Sequence, residues 1–150
     1  MATANISASY NKLLADLFVL HMKTKNFHWH ITGPQFREYY LLLGEQAEQI
    51  YAATDRVGER VIKVGGRTLR SLQHVARLAR LEGNDAEQVA PHEMLRELFE
   101  DNKKLLDYMR DAHETSLSFD DVAGTKLLEE LIDQAEKRVW FLHASLAERE

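Results

Sequence analysis

Asp55 and Glu59 are two carboxylates whose spacing could serve metal chemistry, because they stand four residues apart in a segment with helical periodicity. On a helix, positions four apart project from the same face, so the two side chains could hold one cation between them. The same spacing is common on ordinary solvated surfaces, since Asp and Glu are mostly exposed. Taken alone, the pair is therefore better explained as part of a solvated surface than as one half of a metal site.

A second chemical feature is the run from Asn26 to His30, which contains two histidines around Trp29. His28 falls on the apolar stripe of the predicted helix, whereas His30 lies roughly 200° away around a helix of 3.6 residues per turn. An inward imidazole is either a metal ligand or, more often, a hydrogen-bonded core residue. The chain has no cysteine. Any metal would therefore be bound by imidazole, carboxylate or phenolate groups, which suit iron and other hard or borderline cations.

Helical spacing of the apolar residues divides the chain into four long helices. They are predicted over roughly residues 6–30, 35–64, 91–114 and 120–148. Pro34 and Pro91 are predicted at the first turns of the second and third helices, where proline is best tolerated. Residues 67–90 have a weaker pattern, with a short helix near 72–78. These features predict an all-α four-helix bundle with a short helix in the long middle crossover.

The same periodicity predicts which face of each helix is buried. In the second helix the inner face is predicted to run from Phe36 to Val61, and in the fourth from Val122 to Leu142. Each of these faces continues through several turns, so each helix is expected to contribute to one shared core.

Length, composition and charge limit the class of protein. The chain has 150 residues, of which 45% are hydrophobic, so residues 1–150 are predicted to form a single domain. A formal charge of −5 and the acidic ending at residues 147–150 argue against a surface that attracts nucleic acid or anionic lipid. No apolar run is long enough to span a bilayer, and residues 1–12 do not resemble a secretory signal. By default we expect a cytoplasmic protein with no membrane partner.

Two segments of the sequence resemble the Dps family of mini-ferritins. They are residues 23–36, KTKNFHWHITGPQF, and residues 55–60, DRVGER. The resemblance extends over nearly the whole chain, including Gly65-Gly66 and the segment 138–142, RVWFL. It implies a ferritin-like four-helix bundle that assembles into a hollow homododecamer. It also implies uptake of ferrous iron, oxidation of that iron by hydrogen peroxide, and storage of the ferric product as mineral.

The resemblance also implies an oxidation site between two subunits related by a two-fold axis. Five positions match its ligands, and three of them, His28, Asp55 and Glu59, carry the residue types that the family uses. Tyr40 stands where the family has histidine, and Gly44 stands where it has aspartate. Positions 44 and 55 are about 16 Å apart along one helix, which excludes their sharing one ion within a single subunit.

We therefore expect His28 of one subunit, with Asp55 and Glu59 of its mate, to form one metal position. That position would take iron as Fe²⁺ or Fe³⁺, and zinc or another divalent metal is an alternative. The second iron position should be weakened, because glycine has no side chain and a neutral tyrosine is a poor ligand. Oxidation by peroxide is then expected to be slow. Trp29, near the site, is a further candidate for a catalytic residue. Glu48, one turn beyond position 44, could partly compensate or could simply be solvated.

Asp120 and Asp121 resemble the carboxylates that line cation pores at the three-fold axes of the family's cages. Helix capping at the start of the fourth helix explains them equally well. The sequence leaves both interpretations open.

Three other functions compete with an attenuated ferroxidase cage. The first is a redox-inactive cage or shell, either a natural paralogue or an engineered protein with an emptied site. The second is DNA protection, which the neutral beginning and acidic end of the chain make improbable. The third is an unrelated four-helix bundle that serves as an interaction module.

Overall fold

Five helices run through residues 2–147, the part of the chain that the computed structural model describes; side chains are described from residue 5 onward. The helices are α1 (Ala2–His30), α2 (Phe36–Lys63), α3 (Leu72–Leu78), α4 (Pro91–Ser118) and α5 (Val122–Ala147). No strand occurs in this range. The prediction of an all-α bundle with a short helix in the crossover is confirmed. Glu148, where the last helix is predicted to end, lies outside the described residues.

The core lies between two helix pairs, α1 with α2 and α4 with α5, which meet mainly through α1 and α4. The short helix α3 packs on α1. The largest fully buried side chains are apolar or aromatic and come from α1, α2, α4 and the turn after α1: Tyr10, Leu13, Leu17, Leu20, Phe27, Ile31, Leu43, Ile50, Leu95, Leu98, Leu105 and Met109. Helix α5 adds smaller or slightly less buried residues such as Leu128, Leu131 and Leu142. Apolar periodicity therefore translates directly into one continuous core.

The ends of the long helices match the prolines only in part. Pro91 is at the start of α4, as predicted. Pro34 lies in the turn that precedes α2, because α2 begins only at Phe36. In that turn the Phe36 amide donates to the carbonyl of Gly33 at 3.0 Å. Gly33 has a backbone φ of +107°, which residues other than glycine rarely adopt.

Two residues predicted on inner faces are exposed. Phe36 is 45% exposed and Val122 is 80% exposed. Each is the first residue of its helix. Periodicity predicts the side of the helix on which a residue lies, but it does not show whether a neighbouring helix is long enough to cover that residue. The inner-face prediction is wrong at these two positions.

The crossover is pinned to α1 by the fully buried carboxylate of Asp16. It accepts hydrogen bonds from the backbone amides of Arg80 at 2.6 Å and Leu81 at 2.9 Å. The Arg80 guanidinium completes the contact at 2.8 Å. Because a buried charge is tolerated only when it is paired and hydrogen-bonded, this cluster holds the crossover in one place. No helix within residues 2–147 has the length and apolarity that a bilayer crossing requires.

Candidate metal site

His28 is held against α2 in a fixed tautomer. Its Nδ1 lies 2.8 Å from the backbone carbonyl of Tyr40. A carbonyl only accepts hydrogen bonds, so in the neutral imidazole Nδ1 carries the proton and Nε2 carries the lone pair. Only 8% of the residue is exposed. His28 is thus a positioned imidazole whose Nε2 can bind a cation.

Tyr40 also holds the imidazole through its side chain. The two rings stack with centroids 4.1 Å apart and an interplanar angle of 23°. The ring of Phe36, one turn earlier on α2, lies 5.4 Å from the Tyr40 ring. Position 40, where the resemblance predicts a histidine ligand, therefore carries an aromatic ring that stacks on His28.

Gly44 provides the space that the His28 ring occupies. A Cβ atom at position 44 would lie 2.8 Å from His28 Cε1 and 3.2 Å from Nδ1. Real Cβ atoms essentially never approach another heavy atom within 3.0 Å, so any side chain here requires the ring to shift. Gly44 and Tyr40 therefore do more than remove two ligands: together they accommodate His28 in its present position.

Asp55 and Glu59 are exposed on α2 and border a groove of about 550 Å³. Neither carboxylate forms an ion pair within the described range, so both are available to a cation. Asp55 lies about 16 Å, and Glu59 about 22 Å, along α2 from Gly44, beside which His28 sits. No group of three or more potential ligands is close enough to hold a metal among the residues that the structure describes. The three predicted ligands thus fall into two separate groups in one chain, which we call the half-sites: His28, and Asp55 with Glu59.

Three further residues lie on the two helices that carry these half-sites: Trp29 and His21 on α1, and Glu48 on α2. Trp29 is exposed, with Lys25 Nζ 5.2 Å from its ring centroid, and Glu48 is exposed on α2. His21 repeats the arrangement of His28. Its Nδ1 lies 3.1 Å from the Ala47 carbonyl, and its ring lies 4.9 Å from that of Tyr51. The seven-residue separation of the two histidines, two helical turns, is the signal that could have identified it.

Asp121 is engaged inside the subunit, whereas Asp120 is exposed. The Asp121 carboxylate accepts the Tyr10 hydroxyl at 2.5 Å, lies 3.1 Å from Arg60 Nη2, and accepts the Gly124 amide at 3.3 Å at the start of α5. Burial, followed by the hydrogen bond to Asp121, raises the pKa of Tyr10 well above its ordinary value, so the phenol remains a donor. Asp120 has a φ of +57° and borders an open groove of about 460 Å³.

The donor set fits one iron position better than two. One imidazole nitrogen and two carboxylates from a second chain could bind a ferrous ion as substrate. At the second position Tyr40 supplies a phenol ring that stacks on His28, and Gly44 supplies only a hydrogen atom in place of a side chain. Neither is the histidine or the aspartate that the resemblance predicts at these positions.

Comparison with known proteins identifies the class that this fold and site define. Residues 8–150 match the family model described as the ferritin-like domain. A DNA protection during starvation protein of Brevibacillus brevis is 30% identical over 146 residues, covering 94% of each chain. An uncharacterized low temperature-induced protein of Nostoc is 31% identical over 135 residues, covering 89% of this chain and 75% of the relative.

Solved structures agree with these relatives. The crystal structure of the Dps protein from Vibrio cholerae O1, described as a member of a broad superfamily of ferritin-like diiron-carboxylate proteins, superposes with a TM-score of 0.91. It is 25% identical, and the match covers 97% of this chain and 91% of that one. The present chain belongs to the Dps family of ferritin-like proteins.

Proposed function

We propose that this protein is a subunit of an iron-storing mini-ferritin cage in which oxidation of ferrous iron by hydrogen peroxide is attenuated. The observation that carries the proposal is the position of His28, whose ring stacks on Tyr40 and fills the space beside Gly44. One metal position keeps its ligand types, and the other has lost both of its side-chain donors.

The attenuation follows from electron counting. Reduction of hydrogen peroxide to water takes two electrons, and each ferrous ion supplies one. Two ferrous ions must therefore be held close together for the reaction to proceed in one step. A subunit pair with one intact position binds the first ion and leaves the second to arrive from solution.

Assembly is required by the same geometry, because His28 lies far from Asp55 and Glu59 within one chain. A two-fold axis would bring each half-site against its complement and create two equivalent positions. Helices α1 and α2, which carry the half-sites, expose several large apolar side chains that a second copy could cover: Met22, Trp29, Tyr40, Leu41, Tyr51 and Ile62. We expect a homo-oligomer, and a dodecamer on the family's pattern.

The shared site can be tested by mixing two inactive variants. We expect His28→Ala and Glu59→Ala each to lose at least about tenfold in Zn²⁺ affinity, since even the outer partners of metal ligands contribute that much. When the two variants are unfolded together and co-assembled, about a quarter of the sites should regain both intact halves by two-fold symmetry. Isothermal titration with Zn²⁺, which is redox-inert, measures this recovery directly.

Glu38→Ala is the matched control, because it removes an exposed carboxylate from the first turn of the same helix. It should titrate like the original protein. If the mixed assembly binds no more Zn²⁺ than either variant alone, the site is not shared between subunits and the proposed geometry is wrong.

A redox-inactive shell is the second candidate function. Tyr40 and Gly44 favour it because both occur at the same iron position. The two functions differ in whether the assembled protein accelerates ferrous iron oxidation above the protein-free rate at all.

We do not expect direct DNA binding, although the Brevibacillus brevis relative is named for DNA protection. The chain carries a formal charge of −5, and twelve copies would multiply that repulsion for a polyanion. In a gel-shift assay at about 150 mM salt, the assembled protein should leave duplex DNA unretarded. A variant with a short lysine-rich extension at its beginning serves as the positive control. Retardation by the unmodified cage would overturn the expectation.

A further inference from the structure

Arg138 is a buried cation without a counter-charge. Only 4% of the residue is exposed. Its Nε donates to Asn102 Oδ1 at 2.8 Å, and its Nη1 donates to Gln49 Oε1 at 2.8 Å. Both acceptors are neutral amide oxygens. No carboxylate of the described residues lies within ion-pairing distance of the guanidinium.

The guanidinium cannot escape this situation by losing its proton. Burial lowers the pKa of Arg138 to about 10, which still leaves the group protonated near neutral pH. An unpaired buried charge is among the most unfavourable features of a protein interior. The usual remedies are a counter-ion or full hydrogen bonding, and only two of the five N–H donors of Arg138 have a partner within the described chain.

A small cavity lies beside this group, between α2 and α5. Its volume is about 90 Å³. The polar or charged residues around it are Glu45, Gln46, Gln49, Lys137 and Arg138. Lys137 adds a second positive charge at the rim, whereas the carboxylate of Glu45 is exposed and does not reach the guanidinium.

One further group in the cavity wall lacks a partner. Gln46 is 6% exposed, and its Oε1 has no hydrogen-bond donor, while its Nε2 makes only a long contact of 3.5 Å with the Arg138 carbonyl. A volume of this size holds a small ion together with a water molecule, since one water occupies about 30 Å³ in the liquid. The ion would pair with Arg138, and the water would donate to Gln46.

We propose that this cavity binds one small anion, a halide or a compact oxyanion such as nitrate, against the guanidinium of Arg138. The bound anion neutralises the buried charge at a point where α2, α4 and α5 meet, since Gln49, Asn102 and Arg138 belong to these three helices. The site is separate from the iron ligands and does not depend on whether iron is oxidised. Its predicted effect is on the stability of the bundle.

The test is thermal unfolding of the assembled protein during a bromide titration at constant ionic strength. Gluconate replaces bromide as the balancing anion, because it is too large for the cavity. We expect a saturable increase in Tm, roughly 5 °C when bromide exceeds its Kd about 100-fold. Arg138→Met should abolish the increase, and Arg138→Lys should retain part of it because the cation remains.

Arg110→Met is the matched control, because Arg110 is an exposed arginine on α4, and this variant should respond to bromide like the original protein. A crystal of the assembled protein soaked in bromide should show an anomalous peak next to Arg138. The proposal is overturned if the original protein and the Arg138→Met variant respond equally. It is also overturned if the cavity contains only water or a carboxylate of a neighbouring copy.

Discussion

Replacing Tyr40 by histidine together with Gly44 by aspartate should accelerate ferrous iron oxidation by hydrogen peroxide at least about tenfold, the factor that corresponds to roughly 1.4 kcal/mol of activation free energy. The two substitutions would supply the histidine and aspartate that the resemblance predicts for a second iron position. They also remove the phenol ring that stacks on His28 at 4.1 Å. The measurement is the initial rate of Fe²⁺ oxidation at matched concentrations of assembled protein.

The single variants should not share the gain equally. With Gly44→Asp alone, the new Cβ at 2.8 Å from His28 Cε1 pushes the imidazole, while the Tyr40 ring still blocks one direction of movement. We therefore expect this variant to oxidise iron no faster than the original protein and to bind Zn²⁺ less tightly. Tyr40→His alone should show a small gain. If the double variant oxidises iron at the original rate, the ligand argument is wrong and another group supports the reaction.

Apolar periodicity predicted the four long helices and the crossover helix because these features depend on local spacing alone. Helix ends were less accurate, since they depend on capping and on where a facing helix stops. The last residue of α4 is Ser118, four positions beyond the predicted end near Glu114. Phe36 and Val122 illustrate the same limit, because each lies on the predicted face and is nevertheless exposed.

The candidate site could be predicted only as a set of residue types. The resemblance identified Tyr40 and Gly44 as departures from the family's ligands, but their spatial relation to His28 depends on the rotamer of one imidazole. A glycine in a helix reads from sequence as a local destabilisation of about 1 kcal/mol. In the structure the same residue provides the space that the ring fills.

The burial and the hydrogen-bond partners of Arg138 could not be predicted from the sequence. Position 138 lies on the buried face of α5, three residues after Ala135 and four before Leu142. The residue type argues against burial, because arginine is mostly a surface residue. Its partners Asn102 and Gln49 are 36 and 89 positions away in the chain. Contacts of this kind follow from the packing of three helices and not from any local spacing.

Asp121→Ala should lower the free energy of unfolding by about 3 kcal/mol, because removing one member of a buried ion pair leaves the other charge uncompensated. The Asp121 side chain is 8% exposed and that of its partner Arg60 is 18% exposed. Tyr10 would lose its acceptor, and Arg60 would become more poorly satisfied, since its Nε already lacks a partner. For a chain of this size the change corresponds to a fall in Tm of roughly 6 to 12 °C.

Asp120→Asn is the matched control, because it removes the neighbouring exposed charge with little effect on folding. Asparagine tolerates the left-handed backbone conformation that Asp120 adopts, so its stability should change by less than about 0.5 kcal/mol. If carboxylates at this end of α5 line a cation pore, Asp120→Asn should slow the initial uptake of ferrous iron by the assembled cage. The structure gives the two aspartates separate roles, because only Asp121 is engaged with Tyr10 and Arg60. If Asp120→Asn and Asp121→Ala lost similar stability, this difference in roles would be contradicted.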